Sequence, residues 1–143
     1  MQSPPPALKK ALIAEGFEIY RTGPNLISLA DRVRDNLLMD SGVSVVQGET
    51  LGVRLVLRAQ ASDFPGEDAD ALLARARSLA SAFDGKGYAE TGAEAVPLRD
   101  PSDKSRTLDT SYEVTYERAV SDEAALYEEL RFALAVIKVA ARP

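Results

Sequence analysis

The stretch Leu26-Ile27-Ser28-Leu29-Ala30-Asp31-Arg32-Val33-Arg34-Asp35-Asn36-Leu37-Leu38 admits two incompatible secondary structures. At 100° per residue, Leu26, Leu29, Ala30, Val33 and Leu37 share one face, and Ser28, Asp31, Arg32 and Asp35 lie opposite, as on an amphipathic surface helix. Asn25 or Thr22 would cap its start and Gly42 its end. Yet Ile27, Leu29 and Val33 also share a parity, so a hairpin of Phe17–Arg21 with Leu26–Ala30 across Gly23-Pro24 is the rival. The 3.6-residue period persists over three turns and favours the helix.

Outward from this stretch the pattern is clearer. Towards the N-terminus, residues 1–6 read as a flexible, proline-rich lead-in. Good helix formers run from Ala7 to Ala14, and Gly16 sits where a left-handed cap would close them. Towards the C-terminus, Val43–Val46 and Leu51–Leu57 read as strands joined by Gln47-Gly48-Glu49-Thr50. In the second, Leu51, Val53, Leu55 and Leu57 share one face, with Arg54, Arg58 and Gln60 on the other. A helix opens at Pro65-Gly66-Glu67-Asp68 and carries Ala69, Leu72, Ala76, Leu79 and Phe83 at helical spacing up to Gly85. Tyr88–Leu98 is a weak strand, and the polar run Arg99–Arg106 reads as a mobile loop. From Leu108 to Glu117 the alternation is strict: a strand. A last helix starts at Ser121-Asp122-Glu123, and its second half, from Phe132 to Ala140, is apolar nearly all round. These residues predict one α+β domain over 7–140. It would hold a mostly antiparallel sheet of about four to five strands, helices packed on it, and a long C-terminal helix.

The 143 residues are 45% hydrophobic and 27% charged, which fits a folded domain and excludes collagenous and low-complexity classes. Cysteine and histidine are both absent. That removes disulfides, thiolate nucleophiles, iron–sulfur clusters, imidazole bases and the His- or Cys-type metal sites. Net charge is −5, from 17 basic and 22 acidic side chains, without a Lys/Arg run, so the electrostatic footprint of nucleic-acid binding is missing. No apolar run approaches the length of a membrane span, and the N-terminus lacks a signal-peptide pattern. The expectations are therefore a cytoplasmic chain with no nucleic acid, no membrane contact, no cofactor and no metal.

Two groups of residues invite a chemical reading. Leu37-Leu38-Met39-Asp40-Ser41-Gly42 resembles the catalytic Asp-Ser/Thr-Gly turn of retropepsin-like aspartic proteases over six residues. The resemblance implies a water-activating Asp40 paired across a dimer. The plainer reading is a turn that ends one element and starts a strand. Arg54 and Arg58 fall on the polar face of one strand, Asp109, Glu113 and Glu117 on that of another. Arg54, Arg58, Glu113 and Glu117 are thus the candidate ligand-binding residues, for an anion held bidentately. If the strands are neighbours, the same residues would instead neutralise one another across the ladder. Tyr112, Tyr116 and Tyr127, with Arg131 and Phe132, would line a pocket or, more simply, edge the core. The acids at 67, 68, 70, 122 and 123 suit first helical turns.

A helix apolar on every side asks to be covered on every side. Phe132, Val136, Ile137 and Val139 are therefore the candidate interface of a homodimer. In size, acidity and element count the chain resembles type III secretion chaperone-like proteins and the related YbjN-like regulators, built as helix, three strands, helix, two strands, helix. That likeness implies a bacterial chaperone- or adaptor-like protein. The expected function is a non-catalytic protein-interaction module. Its protein partner would be a basic one if the role is immunity- or antitoxin-like. The alternative is a small-molecule or anion-binding domain or a carboxylate-based enzyme.

Overall fold

The structure is a computed structural model and describes residues 5–140, the side chains of residues 5, 33 and 138–140 excepted. The elements are α1 (Pro5–Ala14), β1 (Ile19–Gly23), β2 (Leu26–Arg34), β3 (Leu37–Gln47), β4 (Leu51–Gln60), α2 (Ala69–Leu79), β5 (Ala89–Asp100), β6 (Asp103–Ala119) and α3 (Glu123–Ala140). The six strands form one antiparallel sheet in the order β1-β2-β3-β4-β6-β5. The architecture is α+β as the patterning requires, with more strands than the four to five expected.

The extra strand comes from the disputed stretch. Residues 26–38 are not a helix: β2 and β3 run through them as a hairpin turning at Asp35-Asn36, and β1 pairs with β2. Parity won over helical period because a strand at Leu26–Arg34 buries Ile27 and Leu29 beside Val43 and Val45 of its neighbour. The polar segment expected to be a loop at 99–106 is also mostly strand. Only Pro101-Ser102 turns, flanked by Asp100 and Asp103, whose carboxylates accept hydrogen bonds from Ser102 N and Ser105 N at 2.9 and 3.1 Å. The lead-in gives way to α1 at Pro5, in the first turn where a missing N–H costs nothing. Residues 1–4 lie outside the described residues.

The chain divides into two compact units, Met1–Leu55 with Glu117–Pro143, and Val56–Tyr116. In the first, Leu8 and Leu12 of α1, Leu126, Leu130 and Ala133 of α3, and Leu29, Val43, Val45, Val53 and Leu55 of the sheet are fully buried. Phe17 follows the Gly16 cap (φ 96°), with the Tyr127 ring 6.3 Å and the Arg131 guanidinium 5.2 Å away. The second unit is built round Ala59, Leu72, Ala76 and Val114, with Phe64, Leu73, Tyr112 and Tyr116 packed against them. Asp68 caps α2, accepting from Ala71 N at 2.9 Å. A 3-10 turn at Ala80–Phe83 finishes the helix before Gly85.

In the first unit β4 and β6 approach so closely at Gly52 that an added Cβ would lie 2.8 Å from the Arg118 carbonyl oxygen. A backbone atom cannot swing aside as a side chain can. Gly52→Ala is expected to cost roughly 1–3 kcal/mol, as overpacking does. Gly48→Ala, with nothing within 4 Å of its Cβ, should stay within about 0.5 kcal/mol of the parent. Urea titration of both variants checks the contrast.

Candidate functional site

β4 and β6 are neighbours, so the predicted opposition of charges is realised. In the second unit Arg58 Nε donates to Glu113 Oε2 at 3.0 Å, and the buried Ser111 hydroxyl donates to the same oxygen at 3.2 Å. In the first unit Arg54 Nε lies 3.3 Å from Glu117 Oε2, a charge contact whose angle falls short of a hydrogen bond. Asp109 is engaged elsewhere. It accepts from Ser62 N and Ser62 Oγ at 3.0 and 2.7 Å, pinning the turn that follows β4. Each candidate arginine therefore already faces a carboxylate, and an incoming anion would have to displace it.

Asp40-Ser41-Gly42 sits inside β3, where the register against β2 shifts. Asp40 Oδ1 accepts from Gly42 N at 2.9 Å, Ser41 Oγ donates to Leu29 O at 2.8 Å, and Gly42 takes φ 83°. These are the parts of a β-bulge, with both side chains bonded to local backbone. No helix runs into this turn.

Several other ionised groups close on one another. Glu18 pairs with Arg32, Glu67 with Arg75, Glu90 with Arg77 and Glu15 with Arg131. Hydrogen bonds from those arginines hold Glu18, Glu67 and Glu90 below the usual carboxylate range. Ser102, Ser105 and Ser62 do the same for Asp100, Asp103 and Asp109. Burial pushes the Tyr116 and Tyr127 hydroxyls up. Tyr116 belongs to the cluster of the second unit, while Tyr127 lies with Phe17 in the first. Among the described residues Glu129 on α3 is the one buried carboxylate, 3.4 Å from Arg118. Among the described residues no group of three or more acids is placed to hold a metal ion, and no helix is long and apolar enough to cross a membrane.

On α3 the buried stripe is Leu126, Leu130 and Ala133. Phe132, Val136 and Ile137 are half-buried and Ala135 is exposed, so the helix is covered on one side rather than all round. The Val139 side chain lies outside the described residues.

The sequence reading missed a groove. In the first unit α1, β1 and Leu38 of β3 enclose about 500 Å³. Its walls carry apolar side chains left open to solvent: Ile13 is 54% exposed and Tyr20 41%. Lys9 and Arg21 line it as well. Of the exposed apolar run Leu37-Leu38-Met39, Leu38 lines the groove. Comparison of the chain with protein-family models, with curated proteins and with solved structures gives no match in any of the three.

Two outcomes follow from the charge arrangement. A double-mutant cycle on Arg58 and Glu113, both partly open to solvent, should give a coupling of about 0.2–1 kcal/mol in urea titrations. The depressed carboxylates stabilise the fold above their unfolded pKa values, and that stability goes as pH falls through their folded ones. With no histidine to titrate, chemical-denaturation midpoints should stay level between about pH 6 and pH 8 and drop below the ordinary carboxylate range.

Proposed function

We propose that this chain is a non-catalytic protein-interaction module that binds its partner in the groove between α1 and β1. The observation that carries the proposal is the exposure of Ile13 and Tyr20 on the walls of one concave surface. Apolar side chains gathered in a groove mark recognition surfaces, because water leaves them favourably when a partner arrives. The polar residues argue in the same direction. General acid–base catalysis wants a group poised near neutrality, whereas the shifted carboxylates move down and the shifted tyrosines up. Arg54 and Arg58 are spoken for by Glu117 and Glu113. Self-association, where it occurs, is assigned to α3 through Phe132, Val136 and Ile137. The likeness to chaperone-like proteins carries no weight here, since the observed order has four strands, not three, between the first two helices.

A photo-crosslinking residue at position 20, used in extract of the source cells, tests this reading. A discrete protein adduct is expected, lost on Ile13→Asp and retained on Arg58→Ala. Either of two results would overturn it. One is a metabolite that raises the melting temperature by several degrees through Arg58. The other is turnover abolished by changing Asp40, Arg54 or Glu113 alone in a folded variant.

A further inference from the structure

The groove has a strand edge along one wall. β1 is the first strand in the sheet order and pairs only with β2, so its other side carries unpaired backbone donors and acceptors. The opposite edge, β5, is guarded. Pro97 removes a backbone donor there, and Glu90 and Glu94 add charge along it. β1 has no proline and no acid in Ile19-Tyr20-Arg21-Thr22-Gly23; its defences are its shortness, the charge of Arg21 and a register shift between Ile19 and Arg21. An open edge beside an apolar groove walled by a helix is the arrangement that accepts an extended segment as an added strand. Main-chain hydrogen bonds then supply affinity and alternate side chains fill the groove.

Charge selects the occupant. Of the groove's ionised residues, Glu18 is held bidentately by Arg32, at 3.1 and 2.6 Å. Lys9 and Arg21 make no ion pair among the described residues, and Arg21 rests against the Tyr20 ring at 5.5 Å. The groove thus presents two uncompensated cations on a chain whose net charge is −5. A second copy of the chain fits poorly. Antiparallel pairing of two β1 strands centred on the middle residue sets Arg21 against Arg21, and like charges directly opposite are destabilising. Resting on the interaction reading above, we infer that the groove binds an extended peptide segment whose apolar residues alternate with Asp or Glu. The segment adds antiparallel or parallel to β1, its apolar side chains against Ile13 and Tyr20 and its carboxylates beside Lys9 and Arg21.

The probe is a fluorescein-labelled peptide of about six residues, the commonest strand length, alternating Val or Leu with Asp or Glu. Two twins accompany it, one N-methylated at alternate residues and one with Lys replacing the acids. Fluorescence anisotropy on the full chain should show the acidic peptide binding, and each twin binding about tenfold or more weaker. Lys9→Glu with Arg21→Glu should weaken the acidic peptide by a similar factor, while Arg58→Ala leaves it unchanged. Added salt should reduce its affinity. Equal binding of the N-methylated twin overturns strand addition, and equal binding of the Lys twin overturns the charge selection. Concentration-dependent dimerisation lost on Tyr20→Asp would make the second copy the occupant and overturn the peptide. No peptide binding, together with a position-20 adduct to a folded protein, would overturn this inference and leave the interaction reading standing. Loss of both would remove that reading too.

Discussion

The structure of the first unit depends on the two-residue period of β strands and on the places where pairing breaks it, the largest of them at Asp40-Ser41-Gly42. Ser28 pairs with Ser44 and Ala30 with Asp40, so two steps along β2 answer four along β3. The surplus is absorbed at Asp40-Ser41-Gly42, where glycine supplies the positive φ and the Asp40 and Ser41 side chains take up the freed backbone groups. On the loop side of that bulge Leu37, Leu38 and Met39 are exposed; on the other, Val43 and Val45 are fully buried. The shift at this bulge is of two residues, so each side chain keeps its face while the partners along the hairpin change; a second shift follows between Arg32 and Arg34. The motif that resembles a catalytic turn is a bulge within a long hairpin, buried towards one end and exposed towards the other.

This explains what could be read from the residues and what could not. Elements with one buried face and one wet face announced themselves: β4 through Leu51, Val53, Leu55 and Leu57, α2 through Leu72 and Ala76, β6 through Val114 and its neighbours. So did the pairs that only needed β4 beside β6, Arg58 with Glu113 and Arg54 with Glu117. Elements lacking that asymmetry were read less well. β5, expected as a weak strand, is one, but its end and the start of β6 are exposed and show no alternating face, so the polar residues 99–106 read as loop. Their strand character comes from backbone pairing, which side-chain polarity does not report. Residues 26–38 failed for a different reason. Charges at 31, 32, 34 and 35 cluster at the hairpin tip beyond the reach of the core, and a helix places the same charges on one side. Two periods fitted, and only long-range pairing could choose between them.

The electrostatics divide the molecule in a way composition does not. Most ionised residues that look reactive in isolation are consumed locally, in ion pairs, helix caps and aspartate turns, each worth little by itself at a solvent-exposed position. They hold turns and strand neighbours in register. Hydrogen bonds hold Glu18, Glu67, Glu90, Asp100, Asp103 and Asp109 in the charged form, which suits scaffolding and opposes proton transfer. Glu129 differs in being buried, and its partner Arg118 lies on the strand whose backbone crowds Gly52. Removing either member of such a pair would leave a charge with poor solvation, so this contact, unlike the exposed ones, fixes where α3 lies within its unit.

What stays unconsumed is therefore informative. A small sheet has two edges, each a hazard in water, and proteins blunt edges with proline and charge when no partner is meant to pair there. β5 carries proline and acids, whereas β1 carries Arg21, a register shift between Ile19 and Arg21, and only five residues against twelve. These limit accidental pairing without preventing a segment anchored by side chains. Ile13, Tyr20 and Leu38 supply such anchorage beside β1. An aggregation-prone edge would be longer and flatter; a merely neglected one would have no groove at its side. The coincidence of an open edge, exposed apolar walls and two cations without an ion pair is what the proposed binding of a strand from another chain requires.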